Sequence, residues 1–165
     1  MSEEKKAETI GARNLALAYF VEALSDIGID PKLIANYMAR KIAKDMDYFV
    51  ETYLDGNSLP DSFLDAVKTV AMKNVENGLH GIADFDVEED PFTIKVSNLH
   101  DCTFKQFAYE SVRRGLPGCP VCLITQMSVG SIAAVHNLKI KSISRTYDME
   151  KDVCEVITTF GEKPT

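Results

Sequence analysis

Two cysteines separated by two residues form the part of this sequence best suited to chemistry. They lie in Gly118-Cys119-Pro120-Val121-Cys122, where glycine and proline favour a tight turn. Two thiolates held by one turn can bind the same soft metal ion or exchange electrons as a dithiol. Both cysteines also flank the start of a predicted helix, whose partial positive charge favours the thiolate form. The segment therefore predicts either a metal site or a redox site.

The other two cysteines also lie after residue 100 and complete a possible ligand set. Cys102 follows a strand-like run, and Cys154 lies within another such run. A closed tetrahedral zinc site needs four ligands, which Cys102, Cys119, Cys122 and Cys154 supply, with His100 as a reserve ligand. A redox dithiol needs only the C-x-x-C pair, and free cysteines also serve as small buried apolar residues. Zinc is the favoured interpretation, while a reactive dithiol and inert thiols both stay open.

Other groups that often carry chemistry lack the spacing that their reactions require. His80 and His136 have no serine or cysteine with an acidic partner at a recognisable spacing. The acidic run 84–90 lacks the glycine and the spacing of an EF-hand loop, so a solvated loop is expected there. The sequence contains no glycine-rich phosphate loop, no H-E-x-x-H motif and no serine nucleophile elbow.

Length and composition describe one globular domain, 1–165. The chain has 165 residues, 45% of them hydrophobic, and carries a formal net charge of -7. Such an acidic chain lacks the basic surface that nucleic acid or an anionic membrane requires, so neither partner is expected. The N-terminus has no signal-peptide pattern, and the uncharged stretch 115–138 contains too many polar side chains to span a membrane. A cytoplasmic, thiol-reducing location is expected, which weakens a disulfide interpretation.

Hydrophobic spacing changes from a helical to a strand period near residue 78. The helical part, 1–78, is predicted to contain helices at 4–28, 31–56 and 58–77. The mixed part, 79–162, is predicted to contain strands at 82–87, 92–97, 138–147 and 152–160, and helices at 103–114 and 120–136. The last two strands form an antiparallel hairpin around a polar turn. The expected fold is α+β, with helices packed on one face of an antiparallel sheet.

An apolar ligand cavity is predicted between the second helix and the helix at 120–136. Methionine and ring side chains on the second helix face small residues on the other, and such side chains tolerate irregular gaps. The candidate lining residues are Tyr37, Met38, Ile42, Met46, Ile124, Ser128 and Ile132. The alternative is that these residues form only part of the core.

The N-terminal helix predicts a homodimer. Its apolar residues Ile10, Leu17, Val21 and Leu24 recur at near-heptad spacing. Such a stripe can pack against a second copy of the chain or against its own core, and both arrangements stay open.

Residues from about 92 to 160 resemble the small-molecule-binding domain named after bacteriochlorophyll 4-vinyl reductase. The resemblance rests on Pro120-Val121-Cys122 before a small-residue helix with Gly130, and on Asp152-Val153-Cys154-Glu155-Val156 in the hairpin. It implies the ligand-binding fold shared with haem-NO-binding domains and TRAPP vesicle-tethering subunits, in which helices enclose an apolar pocket beside an antiparallel sheet. Archaeal stand-alone members have been called hydrocarbon-binding proteins. The resemblance also implies a homodimer. Where the family usually carries another cysteine, this chain has 144–147 without one, so Cys102 or Cys119 takes its place.

Two classes of function follow from these features. The first is a non-catalytic module, stabilised by structural zinc, that binds an apolar small molecule such as a hydrocarbon, a lipid or a tetrapyrrole. The second is a thiol-dependent enzyme, redox or hydrolytic, that uses Cys119 or Cys122. No haem-ligand motif and no nucleotide-binding motif is present in the sequence. The non-catalytic class is favoured.

Overall fold

Five helices with described bounds and a four-stranded antiparallel sheet make up the computed structural model. It describes residues 26–81, 84–89, 92–115, 119 and 122–161, and the isolated positions 16, 19, 20, 23 and 24. The regular elements before the last helix are α1 (Pro31–Lys44), α2 (Met46–Tyr53), α3 (Phe63–Glu76), β1 (Asp84–Glu89), β2 (Phe92–Leu99) and α4 (Lys105–Arg113). The α+β class predicted from the change of hydrophobic period is confirmed. In the predicted N-terminal helix, Ile10, Leu17 and Val21 lie outside the described residues.

The last helix and the hairpin complete the fold. The helix α5, residues 123–135, joins an α-helical turn Leu123–Thr125, a π-helical segment Gln126–Gly130 and an α-helical segment Ser131–Val135. The hairpin strands are β3 (Ile140–Asp148) and β4 (Val153–Phe160). None of the helices in the described part of the chain is long and apolar enough to cross a membrane.

The long helix predicted over 31–56 is two helices, α1 and α2. The break falls at Asp45, where φ is -108° and ψ is 37°. The Asp45 carboxylate pairs with Lys41, one turn earlier on α1. Ile42 before the break and Phe49 after it pack on the same core. The apolar spacing therefore continues across the break, and periodicity alone does not reveal it.

Helix α3 begins at a different serine from the one predicted. Ser62 is the N-cap, and its Oγ accepts a hydrogen bond from the backbone N–H of Asp65 at 3.5 Å. The sequence offers the same serine-to-aspartate spacing at Ser58 and Asp61. Pro60 disfavours helical geometry in the residue before it, so the helix begins at the later serine.

The sheet has the strand order β1-β2-β4-β3, and every neighbouring pair is antiparallel. The edge strand β1 overlaps the strand predicted at 82–87 and continues to Glu89, where a solvated loop was expected; charged side chains are common on exposed sheet edges. On β4, Val156, Thr158 and Phe160 are buried, so alternate residues face the helices. This face of the sheet carries the core.

The central helix α5 packs against α1 and α3 in the middle of the molecule. Ser128, Gly130 and Ser131 are buried along it. A Cβ on Gly130 would collide with the side-chain oxygen of Gln126 on the same helix and would lie 3.4 Å from the Cβ of Ala39 on α1, so this position leaves little room for a side chain.

An aromatic cluster joins the helices to the sheet. The ring of Phe63, the first residue of α3, lies 6.2 Å from the ring of Phe92 and 5.5 Å from that of Phe160. It also meets His136, at the end of α5, with ring centroids 5.6 Å apart. Edge-on contacts of this kind stabilise a core beyond the apolar area that they bury. Phe63 therefore connects three parts of the fold.

Candidate functional site

All four cysteines line one cavity between the hairpin and the start of α5. Cys102 lies in the loop between β2 and α4, and Cys119 lies before α5. Cys122 is the N-cap residue of α5. Cys154 is on β4, where it pairs with Tyr147 of β3. Three separate loops and strands thus bring the predicted ligand set to one place.

The size of this cavity decides what can occupy it. Its volume is about 20 Å³, and Leu99, Phe104, Leu123 and Val156 form its apolar walls. A volume of this size holds one water-sized guest, whereas pockets for organic ligands begin at roughly 300 Å³. The cysteine cavity is suited to a single ion and not to an organic molecule.

Hydrogen bonds reach two of the sulfur atoms. The backbone N–H of Phe104 donates to Cys102 Sγ at 3.4 Å. Cys122 Sγ accepts from both the backbone N–H and the Oγ1 hydroxyl of Thr125, at 3.4 Å and 3.1 Å. Among the described residues, Cys122 is therefore the cysteine whose sulfur accepts the most hydrogen bonds.

Burial opposes ionisation of the other three thiols. It raises the pKa values of Cys102 and Cys119 above their usual range and that of Cys154 to about 12, and neighbouring cysteines raise them further. These groups are therefore neutral thiols near pH 7 unless a cation joins them. All four cysteines are free, without a disulfide. A bound cation would reverse the balance, because coordination to a metal deprotonates a thiol.

The sulfur atoms surround the cavity without forming a ready-made coordination sphere. Within the described residues, no group of three or more histidine, cysteine or acidic side chains is placed so that it could hold a metal ion. The donor set itself fits zinc, since four thiols at an ion-sized apolar cavity match a closed tetrahedral site. Zinc binding would require the sulfur atoms to move inward.

His100, the reserve ligand, lies beside the cysteines and not among the cavity residues. Its Nδ1 is 2.8 Å from Asp101 Oδ2, and its backbone carbonyl accepts from the N–H of Gly81. A Cβ on Gly81 would collide with the His100 ring, so glycine is required where this ring packs. The ring is thus held over the chain before β1.

Sequence reasoning missed a polar network at the hairpin turn. Tyr147 Oη donates to Asp152 Oδ1 at 2.7 Å, and Lys105 Nζ donates to Asp152 Oδ2 at 3.1 Å. These two donors hold the pKa of Asp152 below its usual range. The network ties the turn before Cys154 to the first residue of α4. The Asp-x-Cys spacing was its only sequence signal.

Arg145 is a second residue that the sequence did not identify. It lines the cysteine cavity from β3, opposite Val156 of β4. Burial lowers the pKa of its guanidinium, while the nearby Cys122 and Cys119 raise it. Arginine stays protonated in proteins, so the cavity has one fixed positive charge beside its thiols.

The seven predicted ligand-pocket residues occupy different environments. Ile124, Ser128 and Ile132 are buried on α5, and Ile132 has no exposed surface. Met38, Ile42 and Met46 are partly buried and pack against the two core clusters. Tyr37 lies 67% exposed on the outer face of α1. Each of the four cavities described is lined by one of the seven at most.

The π-helical segment Gln126–Gly130 lies at the interface between α1 and α5. Short π-helical segments inside α-helices are rare, and they occur frequently at functional sites. Ser128, in its middle, donates from Oγ to the carbonyl of Ile124 at 3.1 Å. The α1 and α5 interface therefore contains an irregular helix next to the predicted lining residues.

Comparison with known proteins gives similarity in fold. The chain resembles the crystal structure of the phenol-responsive sensory domain of the transcription activator PoxR with phenol, with a TM-score of 0.50 and 12% sequence identity. The match covers 89% of this chain and 74% of that chain. No protein-family model and no curated protein sequence matches. The chain shares the α+β fold of this sensory domain.

Proposed function

We propose that this chain is a non-catalytic module of the 4-vinyl reductase type that binds a small apolar molecule and is stabilised by structural zinc. The observation that carries the proposal is the convergence of four cysteines on an ion-sized apolar cavity. A cavity of that size has room for a metal ion and none for a substrate beside it. The fold similarity to a phenol-responsive sensory domain supports the small-molecule part.

Zinc in this place would cross-link parts of the chain that are distant in sequence. Cys102, Cys119, Cys122 and Cys154 would be its ligands, with His100 as the reserve. They join the loop before α4, the start of α5 and the hairpin. The metal would neutralise thiolates that burial otherwise disfavours. It would thereby fix the first turn of α5, immediately before the π-helical segment.

The apolar ligand is assigned to the interface of α1 and α5. The π-helical segment and the methionines Met38 and Met46 support this position, since both adapt to a guest more readily than regular packing does. The residues are packed in this structure, so binding requires the interface to open. The homodimer also stays a proposal, because most of the N-terminal stripe lies outside the described residues.

Ligand binding is expected to raise the melting temperature. A ligand that binds only the folded state stabilises it by about 2.7 kcal/mol at a hundredfold excess over its dissociation constant. The panel for thermal unfolding contains phenol, fatty acids, isoprenoids and tetrapyrroles. Ser128→Leu is expected to abolish the ligand-induced shift, because it fills the interface beside the π-helical segment. Ser144→Leu, on an exposed position of β3, is the matched control and should keep the shift.

Different results contradict the binding function and the assigned position of the ligand. A panel without any shift in the wild-type protein contradicts small-molecule binding itself. A shift that survives Ser128→Leu contradicts only the assignment to this interface.

Reactivity of the cysteines separates the binding module from a thiol-dependent enzyme. The enzyme alternative uses Cys119 or Cys122, and Thr125 donates two hydrogen bonds to the Cys122 sulfur. We expect native protein to resist iodoacetamide until a chelator is added, because metal-bound and buried sulfur is unreactive. The readout is the mass of intact protein over time, with and without chelator. Rapid single modification of Cys122 without chelator would favour the enzyme.

A further inference from the structure

A second cavity, of about 330 Å³, lies on the other side of Arg145 from the cysteines. The start of α1, the π-helical segment of α5 and the first half of β3 form its walls. Its polar lining residues are Lys32, Asn36, Gln126, Lys141, Ser142 and Arg145. The volume lies at the lower end of the range for small-molecule pockets.

The charges around this cavity all have one sign. Lys32, Lys141 and Arg145 line it from two different elements, and no carboxylate is among the lining residues. Neither lysine forms an ion pair within the described part of the chain. The Asp30 carboxylate, at the start of α1, accepts from the backbone N–H of Lys32, and Glu155 lines the neighbouring cysteine cavity together with Arg145. In a chain with a net charge of -7, such a grouping attracts anions selectively.

The strand register places Arg145 on the helix-facing side of the sheet. Arg145 pairs with Val156, whose side chain is buried, and directly opposed residues share a face. The register shifts between Ile140 and Ser142, so Lys141 is the extra residue of a β-bulge. Bulges re-aim side chains and are frequent near binding sites. The bulge thus places Lys141 and Ser142 at the cavity edge.

Gln126 supplies a largely buried polar side chain to the cavity. The residue is only 5% exposed. A side-chain amide at a cavity wall can donate a hydrogen bond to a bound molecule. An anion in the cavity would accept from this amide and from the surrounding cations.

We propose that this cavity binds a small organic anion through Lys32, Lys141, Arg145 and the amide of Gln126. The shared chemistry is a carboxylate or phosphate group, and Ile140 and Ile143 offer a short apolar wall for the body of the molecule. This site goes beyond the proposed function. It rests neither on zinc nor on the apolar interface of α1 and α5.

Calorimetric titration with benzoate, benzyl alcohol and inorganic phosphate tests the site. Benzoate and benzyl alcohol have similar bodies but differ in charge, and phosphate has the charge without the body. At low ionic strength we expect an anion to bind and the neutral alcohol not to bind. Loss of one charge-assisted hydrogen bond should weaken binding on the order of tenfold, so Lys32→Gln and Lys141→Gln should each show this loss. Both side chains are exposed, so the variants should fold.

Lys139→Gln is the matched control, because Lys139 is exposed, lies two residues from Lys141 and does not line the cavity. It should leave the affinity unchanged. Binding of benzoate alone identifies an organic carboxylate as the ligand class, and binding of phosphate alone identifies a phosphorylated one. The proposal is overturned if neither anion binds, if benzyl alcohol binds as tightly as benzoate, or if Lys139→Gln weakens binding as much as Lys141→Gln.

Discussion

Purified protein is expected to contain one zinc ion per chain, and Cys122→Ser is expected to lose it. Cys122 is the sulfur with the most hydrogen-bond donors and lies at the start of α5. Structural zinc can contribute on the order of 10 kcal/mol to folding. The whole stability of a domain is typically about 5 to 15 kcal/mol. The variant should therefore melt at a much lower temperature, or fail to fold at all.

Metal analysis and thermal unfolding of the same samples measure this effect. Ser144→Ala is the control and should keep both zinc and stability, because Ser144 is exposed on β3. Addition of a chelator to wild-type protein should reproduce the loss seen in Cys122→Ser. Protein without stoichiometric metal, combined with a thermally silent Cys122→Ser, would rule the site out.

The pH dependence of zinc binding has a definite sign. Burial raises the pKa values of Cys102, Cys119 and Cys154, so these thiols are protonated near pH 7 before metal binds. Binding must then release their protons, and zinc affinity must increase with pH. Each displaced proton changes the apparent affinity by roughly tenfold per pH unit. Acidification should release the metal first and destabilise the fold as a consequence.

The fold class could be predicted from the sequence because each part of the chain has one dominant period. Helical spacing before residue 78 and alternation in β2 and β4 follow directly from which side chains face the core. The break at Asp45 could not be predicted, because the apolar stripe continues through it. The strand predicted at 82–87 ended too early, because the edge strand β1 continues to Glu89 and an edge strand needs little apolar surface.

The cysteines could be identified because their type and spacing carry the chemistry in themselves. Arg145 could not, because its position depends on the register of β3 against β4. A shift of one residue in that register would reverse the face of every side chain on the strand. The π-helical segment was equally hidden, since a change of hydrogen-bond partner leaves no mark in composition. A motif with a short spacing can be recognised in a sequence, whereas the position of a side chain that depends on strand register cannot.

Phe63→Ala is expected to cause a large loss of stability. Phe63 is 4% exposed and meets Phe92, Phe160 and His136. Replacing a buried phenylalanine with alanine costs roughly 3 to 5 kcal/mol, because it leaves a cavity and removes ring contacts. Urea unfolding monitored by circular dichroism measures the change.

Phe63→Ala and the cysteine substitutions should differ in their effect on zinc. Phe63→Ala should lower the midpoint of unfolding while the folded fraction keeps its zinc, since Phe63 is not among the residues that line the cysteine cavity. Tyr48→Ala removes another large ring, but one that is 72% exposed, and should change stability by no more than about 0.5 kcal/mol. Equal losses in the two variants would contradict the packing described, because burial of the ring is the property in which they differ.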